Sequence, residues 1–342
     1  MAITTTGEFM EGLAGDSGSE RWDGRTTFVL VHGAHGNAAA WSSLLQELAL
    51  LGHRALAVDL PGHGIDACFP LSYQSPQDLA VFNAQSSPLA AVTLEDNVAH
   101  VESMVRRVAK FGPVVLAGTS GGGATISGVG NTVPGLLSHM VYISAWCCVE
   151  LPSVAAYLAT LGHHDVAESM VNWRAADPQL LEVLKAGLMA DATDEQFRVC
   201  LNTLEPADSA QVLAADSRVD AATWGRIPRT YIRLAQDRAI PIDLQDKMIA
   251  EADALTPDIA STSSRSIPAI WEYDCTATKS PISSTALSHR TRTDQGCLSR
   301  PAAVRVSHRL AIETSPPSSP PERKRLELAM CVRSASSDGH RQ

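Results

Sequence analysis

Basic residues are in short supply in this chain. Its 27 Lys and Arg stand against 37 Asp and Glu, which gives a formal net charge of −10. A surface of that sign repels polyanions, so no nucleic-acid partner is expected. Long apolar runs are lacking as well. None approaches the roughly 18 residues that a membrane span requires, and no membrane partner is expected. The first 20 residues hold no basic patch followed by an apolar core, so no signal peptide is expected. Cysteine lacks any ordered spacing. The seven residues Cys68, Cys147, Cys148, Cys200, Cys275, Cys297 and Cys331 are scattered and odd in number. That argues against a disulfide framework and for reduced thiols in a cytoplasmic protein. Cys147 and Cys148 follow an apolar run and read as buried side chains, not as a redox or metal pair.

What is present is a globular composition, 45% apolar and 19% charged over 342 residues. That length suits one large domain or two ordinary ones. Residues 1–25 are small, polar and Gly-rich, and read as a flexible arm. Thr27–Val31 is a buried-strand run followed directly by His32-Gly33-Ala34-His35-Gly36. Apolar Trp41, Leu44, Leu45, Leu48 and Leu51 at spacings of three and four predict a helix over 41–51. Arg54–Asp59 is a second strand, closed by Leu60-Pro61-Gly62-His63-Gly64, and 65–92 reads as a long loop. Thr93-x-x-Asp96 opens a helix with Leu94, Val98, Val101, Val105 and Val108 on one face. His139–Ile143 and Arg229–Leu234 read as further strands, and 242–254 as a helix.

Residues 153–222 turn to helical periodicity without strand signals, and read as a helical cap inserted between core segments 26–152 and 223–257. The alternation of buried strands and helices predicts an α/β fold with a mostly parallel sheet and helices on both faces. From Asp258 the composition shifts to Ser, Thr, Pro and Arg. Residues 258–342 read as a divergent, largely disordered tail, the shift that an altered reading frame or replaced C-terminus would produce. The final strand and helix of such a core are not recognisable there.

The candidate chemistry lies in Gly112–Gly123. A short apolar run after Gly-Pro ends in Gly118-Thr119-Ser120-Gly121-Gly122. A serine on a sharp strand-to-helix turn needs neighbours without side chains, and the turn lifts its hydroxyl above the sheet edge. The N–H of Gly121, opening the helix, can then stabilise an oxyanion. A plain Gly-rich turn would carry the same pattern.

Four segments occur in one order: Val29–Ala34, Asp59–Gly64, Gly118–Gly122 and Gln236-Asp237-Arg238-Ala239-Ile240-Pro241. Together they resemble the α/β-hydrolase superfamily, in particular its plant methylesterase and hydroxynitrile lyase branch with bacterial esterase relatives. The resemblance covers about residues 26–257. It implies a Ser-Asp-His triad with Ser120 as nucleophile and Asp237 as acid, and the backbone N–H groups of Ala34 and Gly121 as oxyanion donors. Asp237 could instead be a helix N-terminal carboxylate. Asp208, Asp216 and Asp220 are weaker alternatives for the acid. His32 reads as a brace for its loop, and Asp59 and His63 as shaping the neighbouring turn.

The family's histidine should follow Asp237 after a helix, a strand and a loop, near 260–275. None lies there. His289 is the best remaining candidate, and a solvent-facing histidine in the tail is the alternative. The implied activity is hydrolysis of a small carboxylic ester or lactone, the small-molecule partner expected here, with no cofactor. Without a working histidine, the chain would be an impaired or ligand-binding relative. A third reading is cyanohydrin cleavage, for which Lys185 is the cap's one lysine. Trp146, Tyr157, Leu161 and Trp173 are expected apolar substrate contacts. His163-His164-Asp165 reads as a pocket edge and not a metal site.

Overall fold

The computed structural model describes residues 26–162, 169–175 and 177–259, with the backbone of 262–267. They lie in one compact unit, Met1–Ser280. The arm 1–25, His163, His164, Asp165 and His289 lie outside the described residues, as does a second unit, Pro281–Gln342.

Among the described residues, six strands form one sheet: β1 (Thr27–Val31), β2 (Arg54–Val58), β3 (Val114–Ser120), β4 (His139–Ala145), β5 (Arg229–Leu234) and β6 (Thr262–Ile267). Their order is β2-β1-β3-β4-β5-β6, and every neighbouring pair is parallel. Parallel strands need crossovers, which here are helices covering both faces. The period of two in a strand sorts β1 between those faces. Phe28 and Leu30 join Val115, Ala117, Val141 and Ile143 in one cluster, against Leu48 of α1 (Ser42–Leu50). Val29 and Val31 join Leu116, Met140 and Tyr142 in the other, against Leu94, Val101 and Val105 of α3 (Leu94–Val108). Truncating a fully buried leucine such as Leu116 to alanine costs about 2–5 kcal/mol.

Helix α3 begins where its sequence says it should. Thr93 Oγ1 accepts from Asp96 N and Asp96 Oδ2 accepts from Thr93 N, a reciprocal cap. The segment read as a loop over 65–92 also contains a short helix, α2 (Leu79–Ala84), capped by Asp78. Helix α4 (Gly122–Thr132) follows β3 without a connecting loop.

Between β4 and β5 run α5 (Val154–Thr160), α6 (Pro178–Leu188), α7 (Asp194–Thr203) and α8 (Ala210–Ala214). This region has its own small core of Trp173, Met189, Phe197, Cys200 and Leu201. After β5 comes α9 (Ile242–Leu255).

The chain does not lose its sheet at 257. β6 continues it, pairing parallel with β5 through Thr230↔Thr262 and Ile232↔Ser264. Its sequence, Thr-Ser-Ser-Arg-Ser-Ile, carries a single apolar residue, so no burial pattern announces a strand. Backbone pairing with β5 specifies it.

Candidate active site

Ser120 ends β3 with φ +49°, a left-handed conformation that a serine rarely adopts. The pairing of β3 with β4 slips at this point, between Thr119 and Ser120, and Ser120 O accepts from Trp146 N. The turn is closed from below by two glycines. A Cβ on Gly122 would stand 2.4 Å from His32 O, and one on Gly123 would stand 2.3 Å from Trp146 O. Both obstacles are backbone, so no side chain could swing aside.

The loop after β1 packs directly on the serine. A Cβ on Gly33 would be 2.7 Å from Ser120 Cβ and 3.3 Å from its Oγ. The next residue, Ala34, brings its N close to Gly121, where a Cβ would lie 3.4 Å from it. Gly121 is the N-cap of α4. The N-cap residue of that helix therefore sits beside the Ala34 backbone N.

His32 fixes this loop. Its Nδ1 donates to Gly33 O at 2.8 Å, and its Nε2 accepts from Leu60 N at 3.1 Å. Those roles define a neutral tautomer. Burial, with neighbouring His63 adding to it, pushes His32 down to about 4.

Asp237 follows β5 in a tight turn. Its Oδ1 accepts from Ala239 N at 2.8 Å and from Ile240 N at 3.0 Å. Its Oδ2 accepts from Ser144 Oγ at 2.5 Å. The carboxylate thus caps its own turn, while α9 takes Pro241 as its N-cap. Ser144 is the neighbour of Ala145, which pairs with Ser120. Among the described residues, no imidazole is hydrogen-bonded to Ser120 or Asp237.

A cavity opens beside the Ala34 and Gly121 amides. It is lined further by His63, Asn97, Thr125 and Asp208, with an apolar wall that includes Val212 and Leu213. Above it, Glu205 ties the helical insertion to the core. Its Oε2 accepts from His63 Nδ1 at 2.8 Å, and its Oε1 from Asn37 Nδ2 at 2.8 Å and Gly64 N at 2.9 Å. Burial opposes charge on His63, but the Glu205 hydrogen bond and the nearby Asp208 carboxylate outweigh it, and its pKa is raised. Asp208 Oδ2 accepts from His35 N at 2.5 Å and its Oδ1 from Ser209 N at 2.6 Å. Sequence reasoning passed over Glu205, because a glutamate before proline in a helical block carries no local signal. His63 and Asp208 prove to share this network across 145 residues of chain.

The other sequence candidates fall elsewhere. Trp146 and Tyr157 are committed to the core, and the Tyr157 hydroxyl donates to Glu251. Trp173 belongs to the core of the insertion and donates its Nε1 to Glu205 O at 2.8 Å. Leu161 follows α5 and is exposed. None of the four lines the cavity described above, because packing claims the three rings and Leu161 lies at the surface. Lys185 Nζ pairs with Asp194 Oδ1 at 2.5 Å between α6 and α7. Asp216 pairs with Arg218, and Asp220 accepts from Ala222 N. Cys147 and Cys148 are buried free thiols, with their pKa values pushed up by burial.

Residues 28–269 match the family described as the alpha/beta hydrolase family, so the match takes in β6 and passes the point where the sequence motifs end. Methylesterase 1 of Arabidopsis thaliana is 24% identical over 236 residues, covering 65% of this chain and 82% of that protein. A pyrethroid hydrolase of Sphingobium wenxiniae is 27% identical over 244 residues, covering 66% and 76%. The crystal structure of a polyneuridine aldehyde esterase mutant superposes with a TM-score of 0.51 at 20% identity, covering 71% of this chain and 90% of that one.

Proposed function

The chain belongs to the alpha/beta hydrolase family, and from that premise we propose that it is a serine ester hydrolase acting on a small carboxylic ester or lactone. One observation carries the proposal. Ser120 is held at positive φ at the end of β3, with its Oγ against Gly33, and the residues after these two, Gly121 and Ala34, pack on one another. A strained serine at a strand-to-helix turn, with two candidate backbone donors in the adjoining residues, suits acyl transfer. The methylesterase and pyrethroid hydrolase relatives support an ester as the substrate.

In this mechanism Ser120 Oγ attacks the ester carbonyl while a histidine removes its proton. The tetrahedral oxyanion is held by Ala34 N–H and Gly121 N–H. The alcohol leaves, and water releases the acid. Asp237, fixed by three hydrogen bonds, orients the imidazole. His289 is the candidate for that imidazole. Lys185 is occupied by Asp194, which favours the esterase over a lyase needing a pocket cation.

The test is hydrolysis of short p-nitrophenyl esters by the full chain, with fluorophosphonate labelling as a second readout. Wild type is expected to turn over and to label. Ser120→Ala should lose at least about 10³-fold in kcat and all labelling. Equal rates in both proteins, or no labelling of wild type, would overturn the proposal. His289→Ala should match Ser120→Ala if that histidine is the base.

A further inference from the structure

Two buried side-chain oxygens close to the candidate oxyanion donors have no partner among the described residues. Asn97, on α3, is 5% exposed, and its Oδ1 makes no hydrogen bond. Thr125, on α4, is 0% exposed, and its Oγ1 makes none either. Buried polar atoms are nearly always paired, and leaving one unmet is costly. A helical threonine also has a ready local partner in the carbonyl four residues back. Thr125 leaves that option unused.

Both residues line the cavity that holds Ala34 and Gly121. Its volume is about 20 Å³, enough for one water-sized group. A hydroxyl fits there, whereas a carboxylate, which can only accept, could not serve Asn97 Oδ1. The chemistry of the two oxygens narrows the choice. Asn97 Oδ1 can only accept, so the group must donate. Thr125 Oγ1 carries its own proton, so the group must also accept. An ammonium can donate but cannot accept. A hydroxyl does both, accepting from Thr125 and donating to Asn97.

We propose that Asn97 and Thr125 form a hydroxyl subsite next to the oxyanion hole, and that the preferred substrates are esters whose acyl part carries a hydroxyl near the carbonyl. This rests on the ester-hydrolase reading for its kinetic test, though not for its binding test. The scissile carbonyl would lie on the Ala34 and Gly121 amides, and the hydroxyl would reach inward between α3 and α4. Asn97 and Thr125 are then specificity residues, with no part in bond making.

The kinetic test compares methyl 2-hydroxybutanoate and methyl 3-hydroxybutanoate with methyl butanoate. Wild type should prefer at least one hydroxy ester by about fivefold to tenfold in kcat/KM, the gain expected of a neutral hydrogen-bond pair. Asn97→Leu and Thr125→Val should bring that ratio to about one, while Thr125→Ser should restore it. The binding test uses 2- and 3-hydroxybutanamide against butanamide, read by ligand-observed NMR on the full chain. It needs no turnover, so failure of the ester-hydrolase reading would not mask it. Tighter binding of a hydroxy amide, lost in Thr125→Val and kept in Thr125→Ser, supports the subsite. Equal binding of hydroxylated and plain ligands to wild type overturns it and leaves a cavity that holds only water.

Discussion

Ser144 Oγ donates to Asp237 Oδ2 at 2.5 Å, and Ser144 makes this bond from a backbone conformation of φ +39°. The end of β4 is therefore strained at the point where it meets the turn after β5. The bond ties the carboxylate of one strand's loop to the strand that pairs with Ser120. It turns two separate loops into one support.

Substitution at Ser144 should separate strain from hydrogen bonding. Ser144→Ala loses the bond and keeps the strain, and is expected to destabilise by about 1–3 kcal/mol. Ser144→Gly loses the same bond but relaxes the left-handed backbone, and should be more stable than Ser144→Ala by about 1 kcal/mol. Urea unfolding of the two variants measures the difference. If Asp237 orients a base, both variants should lose more in kcat than in KM.

The elbow glycines admit no side chain. Gly122→Ala would drive a Cβ to 2.4 Å from His32 O, backbone against backbone. A loss of at least about 3 kcal/mol is expected, at the severe end for an overpacked core, together with loss of ester hydrolysis. Gly135→Ala is the control. A Cβ there meets nothing within 4 Å, and the thermal midpoint should hardly move.

Glu205 holds the helical insertion to the core through His63, Asn37 and Gly64, while only 3% exposed. Glu205→Ala removes one side of a buried ion pair and leaves three donors unmet. About 3–5 kcal/mol should be lost. Limited proteolysis should cut this variant within 169–215 faster than wild type.

The two histidines that touch here, His32 and His63, have opposite linkage. Their rings lie 5.0 Å apart, and only His63 is placed to carry charge. The folded chain binds the His32 proton only near pH 4, whereas the unfolded chain binds it below about 6.5. The unfolded state is thus favoured as pH falls through that window, by roughly 3 kcal/mol in full. His63 has a raised pKa, so its contribution is complete below about 6.5 and fades as pH rises through its folded value. Urea unfolding between pH 4 and pH 9 should show both slopes. His32→Gln should flatten the acid side, and His63→Gln the basic side.

Much of this was legible in local sequence. The buried runs of β1, β3 and β4 and the Thr93–Asp96 cap declared themselves, because burial on both faces and helix capping are written in adjacent residues. So did the turn at Ser120, since only glycine tolerates the close backbone contacts around it. Other features came from contacts between distant segments. β6 exists because β5 offers it a ladder, and its own residues give no apolar pattern. Trp146 and the insertion's Tyr157 and Trp173 looked like pocket walls, yet packing placed all three in cores. Glu205, Asn97 and Thr125 each look ordinary in their own helix or loop. They become a latch and a polar cavity only where α3, α4 and the insertion converge on the loop after β1. Periodicity and turn chemistry are local properties that a sequence displays directly. The partner of a buried polar atom is set by which remote segments meet, and only the folded chain decides that.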